Sequence, residues 1–256
     1  MRIAVVTGAS SGLGQEFVRQ ISKKEGLDGI WTVARRRERM EELQKQVDIP
    51  LKILPYDLTD KESFRKISAI IKSEQPDVRV LVNAAGFGKI GSYSDISVAD
   101  CDDMIDLNCR AAVDMTQIVL PYMKEGSRIL EICSTSAFQP FQYLNVYAAT
   151  KAFLYRYSRA LRVELFGRKI KVTAVCPYWI KDTEFIGTAQ KTRNSSYIWG
   201  FPFASREKSV VRMALTDSRL GLPVSTPGIV CFLHRIVAKF IPGELMMGLW
   251  ELIRHL

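Results

Sequence analysis

The sequence predicts a doubly wound α/β fold with a mostly parallel central sheet and helices on both of its faces. Short runs rich in β-branched residues alternate with longer amphipathic stretches, which is the order of strands and crossover helices. The short runs are almost continuously apolar, as expected of parallel strands covered on both faces. A chain of 256 residues with 47% hydrophobic residues can bury one large core.

Six of the apolar runs are predicted strands, and they span residues 3–7, 30–34, 51–54, 78–83, 128–134 and 171–177. The amphipathic stretches between them are long enough for the helices that connect parallel strands. These predicted helices span residues 13–24, 37–47, 60–74, 98–124 and 146–167. Because neither a repeat nor a Pro/Ser-rich linker divides the chain, we predict a single domain over residues 1–256.

Residues 183–210 have weak periodicity and carry several aromatic side chains. These are Phe185, Tyr197, Trp199, Phe201 and Phe203. The segment follows the carboxyl end of a predicted central strand, where open α/β sheets bind ligands, so we interpret it as a substrate flap. The alternative is a surface excursion whose aromatic side chains pack on the core.

Residues 228–256 form a predicted apolar helical tail. Apolar side chains recur there at helical spacing, namely Val230, Leu233, Val237 and Phe240, then Leu245, Leu249, Leu252 and Leu256, with Trp250 beside the second set. Arg235 and Lys239 interrupt the first stripe. The tail is expected to pack over the substrate cleft or a dimer partner, or to make peripheral contact with a membrane surface.

The composition excludes several classes of partner. The formal net charge is +9, but Lys and Arg are dispersed among Asp and Glu and no nucleic-acid motif accompanies them, so no nucleic-acid partner is expected.

Five cysteines without CxxC spacing or His partners predict reduced thiols and no metal site. The chain begins almost at once with the strand RIAVVTG and has no long apolar span, so we expect a cytoplasmic protein.

The turn between the first predicted strand and helix reads TGASSGLG over residues 7–14. Gly8 permits the tight turn, Gly12 allows close approach of a phosphate, and Gly14 allows the helix to pack against the strand. The free N–H groups at the helix N-terminus favour the pyrophosphate of a dinucleotide.

The second predicted strand is followed by Arg35, Arg36 and Arg37 instead of a carboxylate. A carboxylate would bond a free ribose hydroxyl, whereas a guanidinium binds a 2′-phosphate. The sequence therefore predicts NADP(H) in preference to NAD(H), with Arg35 as the first contact and Arg36 as the second. The alternative is that these arginines only solvate a helix start.

Tyr147 and Lys151 lie four residues apart, and Ser134 precedes Tyr147 by thirteen residues. On a helix this pair shares one face, so the ammonium is expected to favour the phenolate and make Tyr147 an effective acid or base.

With these motifs in order, the chain resembles the short-chain dehydrogenase/reductase family over residues 3–183. The glycine turn, the Asp57–Leu58 pair, NAAG at residues 83–86, Ser134 and the YxxxK helix all match that family. The resemblance implies a Rossmann-type fold with cofactor contacts from Gly8, Ser10, Ser11, Gly12, Leu13, Gly14, Arg35, Arg36, Asp57, Leu58, Asn83, Ala84, Ala85, Gly86, Tyr147, Lys151, Pro177, Ile180 and Thr183.

The resemblance also implies the catalytic roles. Tyr147 would exchange a proton with the substrate oxygen, and Ser134 would hydrogen-bond that oxygen. Lys151 would hold the nicotinamide ribose, while Asn108 would keep a water that connects Lys151 with solvent. The chain departs from the family's pattern where Tyr178 replaces a Gly, where Thr183 comes one position late, and where Glu131 stands for a frequent Asn.

The resulting hypothesis is an NADP(H)-dependent oxidoreductase, a homodimer, that interconverts a carbonyl and a secondary alcohol on a small apolar substrate, which would be steroid-like, retinoid-like or fatty. Two alternatives remain. One is a 3-oxoacyl-thioester reductase that would receive an acidic acyl carrier protein on its basic surface. The other is a non-catalytic NADP(H)-binding sensor or scaffold.

Overall fold

A parallel seven-stranded sheet forms the centre of the computed structural model, which describes residues 1–198 and 203–254. Its strands are Arg2–Thr7 (β1), Gly29–Val33 (β2), Leu51–Leu54 (β3), Asp77–Asn83 (β4), Met123–Ile132 (β5), Lys171–Val175 (β6) and Val224–Ser225 (β7). Their order across the sheet is β3-β2-β1-β4-β5-β6-β7. The predicted doubly wound fold is confirmed, with every described pairing parallel.

Helices cover both faces of this sheet. They are Gly12–Lys24 (α1), Arg37–Gln44 (α2), Lys61–Glu74 (α3), Val98–Ile105 (α4), Ala111–Val119 (α5), Asn145–Glu164 (α6), Phe185–Ala189 (α7), Glu207–Leu220 (α8), Ile229–Phe240 (α9) and Gly243–Ile253 (α10). One buried cluster joins the sheet to α3, α5 and α6, and includes Ile67, Met115 and Leu161. A second joins the other face to α1, α2 and α8.

The strand order reverses at β1, which lies between β2 and β4. In open parallel sheets this switch point leaves a crevice outside the carboxyl ends of the strands. Thr7 lies at the end of β1, beneath this crevice. Its hydroxyl accepts hydrogen bonds from the backbone N–H groups of Ala84 and Ala85, at 3.1 Å each. The ends of β1 and β4 are thereby held together beneath the crevice.

The predicted helix over residues 98–124 is not continuous. A π-helical turn, Asp106–Arg110, separates α4 from α5, and a short 3-10 turn, Leu120–Tyr122, leads directly into β5. The π turn brings the buried Asn108 toward the strand ends, where it bonds the backbone of Phe87. Tertiary hydrogen bonding therefore overrides the local helical register here.

Three elements depart from the sequence-based expectation after residue 177. The flap segment contains the short helix α7 and the start of α8, and β7 adds a seventh strand. The apolar positions of α8, Val210, Val211, Ala214 and Leu215, do recur at helical spacing, so its sequence carried the signal. Trp199 and Phe201 of the flap and Leu256 of the tail lie outside the described residues. None of the described helices is long and apolar enough to cross a membrane.

Candidate active site

A cavity of about 630 Å³ lies at the carboxyl ends of the central strands. All of the predicted cofactor contacts except Asn83 line it, as do Ser134, Tyr147 and Lys151 among the predicted catalytic residues. Strand ends supply the floor, the start of α1 supplies one wall, and α6 supplies the wall that carries Tyr147. The fold thus brings residues from 8 to 183 in the sequence into one site.

The glycine turn at the start of α1 is tightly packed. Gly8 has a left-handed backbone with φ 68°, and a Cβ built on it would lie 2.8 Å from the backbone nitrogen of Ala85. A Cβ on Gly14 would collide with the carbonyl oxygen of Gly8. Any larger residue at either position would force the turn away from the strand ends. This backbone path therefore requires glycine at both positions.

Arginines surround the far end of the cavity, where β2 ends. Arg36 donates from Nε to the Ser10 hydroxyl at 3.3 Å and from Nη1 to Glu184 at 3.0 Å. Arg35, which is largely exposed, lies 3.6 Å from an Asp57 carboxylate oxygen. Arg39, which the sequence did not single out, also binds Glu184, and hydrogen bonds from Arg39 and Arg36 lower the pKa of that carboxyl. Ion pairs with Glu184 and Asp57 therefore hold these guanidinium groups in place, and an anion that entered this end of the cavity would compete with the two carboxylates.

Tyr147 and Lys151 lie on the buried face of α6. The Tyr147 hydroxyl shares a hydrogen bond with Ser134, and the Lys151 ammonium lies 5.7 Å from the Tyr147 ring centre. Lys151 donates to the backbone oxygen of Ile132 at 2.8 Å. The helical pair and the serine therefore converge on one point of the cavity wall.

The electrostatics of this pair differ from the sequence-based expectation. Burial raises the pKa of Tyr147, and only the hydrogen bond from Ser134 opposes that effect. Burial likewise lowers the pKa of Lys151. Within the protein itself, desolvation is the largest cause of both shifts, because both groups are removed from water.

Asn108 lies directly behind the cavity wall. Its amide donates to the backbone oxygen of Phe87 at 2.9 Å and to the Thr150 hydroxyl at 3.0 Å, and its oxygen accepts from the Phe87 N–H at 3.0 Å. A Cβ on Gly86 would lie 2.7 Å from the Asn108 oxygen and 3.3 Å from the Lys151 nitrogen. Asn108 thus holds the segment after β4 close to Lys151.

Asn83 lies below the cavity, in the core layer between the sheet and α5. Its amide donates to the Glu131 carboxyl at 3.0 Å, to the Thr116 hydroxyl at 2.9 Å and to the backbone of Ala112 at 3.2 Å. Glu131 is fully buried on β5, and its second carboxyl oxygen has no hydrogen-bond partner among the described residues. Burial raises the pKa of Glu131 to about 7.

Aromatic and apolar side chains line the cavity beside Tyr147. They are Phe87, Phe141, Leu144, Trp179, Phe185 and Trp250. A Cβ on Gly88 would lie 2.9 Å from the Tyr147 ring and 3.1 Å from the Phe185 ring, so the backbone passes very close to both. The sequence predicts Phe185 in the flap and Trp250 in the tail, but it gives no indication of the other four residues. No local signal marks them, because they come from separate segments.

The flap begins over the glycine turn. The Thr183 side chain lies 3.3 Å from the position of a Cβ on Gly12, and its hydroxyl donates to the Ile180 backbone oxygen at 3.2 Å. Farther along, the Tyr197 ring stacks on Tyr143 with ring centres 4.0 Å apart. Of the described flap aromatics, Phe185 therefore lies in the cavity wall, Tyr197 packs on the structure beneath, and Phe203 is largely exposed.

Comparison with known proteins accords with this geometry. A sequence profile of the short chain dehydrogenase family matches residues 2–194. The NADP-dependent 3-hydroxy acid dehydrogenase YdfG of Escherichia coli is 36% identical over 186 residues, which cover 72% of this chain and 74% of that protein. An uncharacterized oxidoreductase of Staphylococcus epidermidis is 32% identical over 178 residues, 69% of this chain and 76% of its own length.

Among solved structures, a short-chain dehydrogenase from Sphingobium yanoikuyae in complex with NADPH superimposes with a TM-score of 0.78. It covers 94% of this chain and 97% of its own, at 22% sequence identity. At 22% sequence identity this structural similarity establishes the fold alone. The assignment to a protein family rests on the profile that matches residues 2–194.

Proposed function

The chain belongs to the short-chain dehydrogenase/reductase family, and from that premise we propose that it interconverts a carbonyl group and a secondary alcohol on an apolar substrate, with NADP(H) as cofactor. Members of this family are oxidoreductases that act on CH–OH or C=O groups. The observation that carries the proposal is the convergence of Tyr147, Ser134 and Lys151 beside an aromatic wall in one cavity.

The residues around the cavity fit NADP(H). The glycine turn leaves room for a pyrophosphate at the start of α1, and Arg35 and Arg36 would hold the 2′-phosphate. The relative from Escherichia coli is named as NADP-dependent, which supports the same choice. When bound, the cofactor supplies the hydride to the carbonyl carbon or accepts it from the alcohol.

Tyr147 is the proposed acid and base. In carbonyl reduction it gives its proton to the substrate oxygen, and in alcohol oxidation it takes that proton back. Ser134, which already hydrogen-bonds with the Tyr147 hydroxyl, donates to the same oxygen as negative charge develops. Lys151 holds the nicotinamide ribose and supplies positive charge beside the phenol, and Asn108 keeps a water that connects Lys151 with solvent.

The raised pKa of Tyr147 favours one direction. The phenol is protonated at neutral pH even at its ordinary pKa, and burial raises that pKa further, so the form required for carbonyl reduction predominates there. Alcohol oxidation requires the phenolate, so its rate should rise with pH over a range in which reduction is unchanged. A measured pH profile of both directions tests this assignment without any mutation.

The substrate class follows from the cavity wall beside Tyr147. Five aromatic rings and Leu144 would desolvate an apolar ketone or alcohol with little loss of polar hydration. A second candidate, a 3-hydroxy acid, is favoured by the name of the Escherichia coli relative and by Lys89, a basic residue that lines the cavity. Lys89 is already paired with Asp100 at 3.2 Å, which weakens its attraction for a substrate carboxylate.

We further propose a cytoplasmic homodimer. The described cysteines, Cys101, Cys109, Cys133, Cys176 and Cys231, are free thiols, which suits a reducing compartment. Exposed apolar side chains on α4 and α6, such as Val98, Ile105 and Phe153, would be covered by a second copy.

The decisive experiment is a fluorescence titration with NADPH and NADH, followed by NADPH oxidation with matched apolar ketones and 3-oxo acids. Tighter NADPH binding together with turnover of the apolar ketones is the expected result. Turnover of the 3-oxo acids alone would favour the second candidate. Selective binding with no turnover of any carbonyl would favour a sensor and refute the enzymatic proposal.

A further inference from the structure

The inner faces of α9 and α10 pack against the cleft. His234 on α9 lies 2.8 Å from the Gln139 side-chain oxygen, and Gln142 donates to the backbone oxygen of Met247 on α10 at 3.1 Å. The Trp250 ring meets Phe141 edge to face, with ring centres 5.1 Å apart. These contacts attach the helix pair to the segment between Ser134 and Tyr147.

The opposite faces of the same helices are not covered by any part of the chain that the structure describes. We call them the outer apolar face, which comprises Ile229, Phe232, Leu233, Ile236 and Phe240 of α9, Ile241 at the joint, and Leu245, Leu249 and Leu252 of α10. Phe240 and Leu252 are 74% and 75% exposed. Their spacing forms one stripe along each helix. A continuous row of large apolar side chains is unusual on a protein surface unless something binds it.

Positive charge borders this face. Arg235 and Lys239 are one turn apart on α9, and the sequence of α9 contains no acidic residue. On α10, Glu251 is paired with Arg254, which leaves Glu244 as the acidic residue without a described ion pair. The whole chain carries a formal net charge of +9.

We propose that the outer apolar face binds the surface of an anionic phospholipid bilayer. An apolar stripe bordered by basic side chains is the pattern of a helix that lies in the membrane interface, and the positive border complements anionic headgroups. A second copy fits less well. In a two-fold dimer the same surface meets itself, so Arg235 and Lys239 of the two copies would be drawn into one region and repel each other.

The orientation that follows deepens the proposed function and rests on it. Trp250 lines the cavity from the inner face of α10, while Leu245, Leu249 and Leu252 lie on its outer face. Binding through the outer face would hold the cleft beside the bilayer, where apolar ketones accumulate. The substrate class would then be one that is dissolved in lipid. Vesicle binding needs no turnover, so it can fail or succeed independently of the proposed enzyme activity.

The test is cosedimentation of the full chain with vesicles of phosphatidylcholine alone and of equal parts phosphatidylcholine and phosphatidylglycerol. The full chain should bind the anionic vesicles more tightly. Phe240→Ser with Leu252→Ser should abolish binding to both. The matched control is Phe166→Ser with Leu220→Ser, which removes equally exposed residues near the amino ends of β6 and β7 and should change nothing.

A second variant, Arg235→Ser with Lys239→Ser, tests the contribution of the basic side chains that border the outer apolar face. Loss of two basic side chains should weaken binding to the anionic vesicles by roughly thirtyfold. Arg65→Ser with Lys66→Ser on α3 is the matched control, expected to bind as the parent does. Thermal melting of each variant identifies any that has lost its fold. Absence of vesicle binding by the parent would overturn the proposal. The proposal would also be overturned if the variant with Phe240→Ser and Leu252→Ser bound the vesicles normally. It would be overturned as well if that variant kept its vesicle binding and only had a lower molar mass by light scattering, which would identify self-association through this face.

Discussion

Glu131→Gln should remove a pH dependence of stability that is built into the core. Glu131 is fully buried, and burial raises its pKa from 4.5 to about 7. Below about pH 4.5 the folded and unfolded states are both protonated, so this group costs nothing. As the pH rises toward 7, the unfolded chain releases the proton while the folded chain keeps it, so the stability of the parent falls.

The magnitude follows from the size of the shift. A pKa that rises from 4.5 to about 7 corresponds to about 3 kcal/mol of stability lost by the parent across that range. The amide introduced by Glu131→Gln would keep an oxygen that can accept from Asn83 and Thr116, but it cannot ionise. The free energy of unfolding of the variant, minus that of the parent, should therefore increase by about 3 kcal/mol from about pH 4.5 to about pH 8.

Urea denaturation followed by tryptophan fluorescence over this pH range measures the difference. Glu164→Gln is the matched control, because Glu164 is an exposed acidic residue on the adjacent helix α6 and should leave the pH dependence unchanged. Parallel stability curves for Glu131→Gln and the parent would refute the reasoning, since they would mean that the buried carboxyl does not titrate in this range.

Four further predictions concern the site. Tyr147→Phe should lower turnover by roughly a thousandfold and leave the dissociation constant for NADPH nearly unchanged, because it removes only the proton donor. Substantial residual turnover would contradict the assignment. Replacing Arg35 and Arg36 with Ser should raise the dissociation constant for NADPH much more than that for NADH in fluorescence titration, and equal losses would move the 2′-phosphate elsewhere. Gly14→Ala should lower the melting temperature and weaken NADPH binding together, since its Cβ would collide with the turn. Trp250→Ala should raise KM for apolar ketones and leave NADPH affinity intact, as measured by steady-state kinetics and titration; an unchanged KM would separate the tail from the substrate site.

Several features could be predicted because their signals are short in range. Near-continuous apolar runs identified six strands, and the glycine turn and YxxxK spacing identified the positions of Gly8, Tyr147 and Lys151 within the site. The apolar spacing of α8 also carries a helical signal, although its first residues, 207–210, fall within the predicted flap. In each case neighbours in the sequence determine the backbone conformation, through propensity, capping or a required absence of a Cβ.

Other features depend on contacts between distant segments. The break between α4 and α5 at Asn108 is accompanied by hydrogen bonds to Phe87, twenty-one residues earlier. β7 is only two residues long and exists by pairing with β6. The pKa of Tyr147 is raised mainly by burial, which the Lys151 spacing alone could not reveal.

The parallel sheet and the position of the glycine turn could be predicted from local sequence patterns, and the family resemblance predicted that Tyr147, Ser134 and Lys151 would meet. Tertiary packing was needed to show which aromatic rings line the cavity beside Tyr147, that Glu131 is buried with a raised pKa, and which faces of the tail helices pack or stay exposed. The physical reason is that backbone conformation follows largely from nearby residues, whereas burial, desolvation and a shared cavity wall exist only after distant segments have packed together.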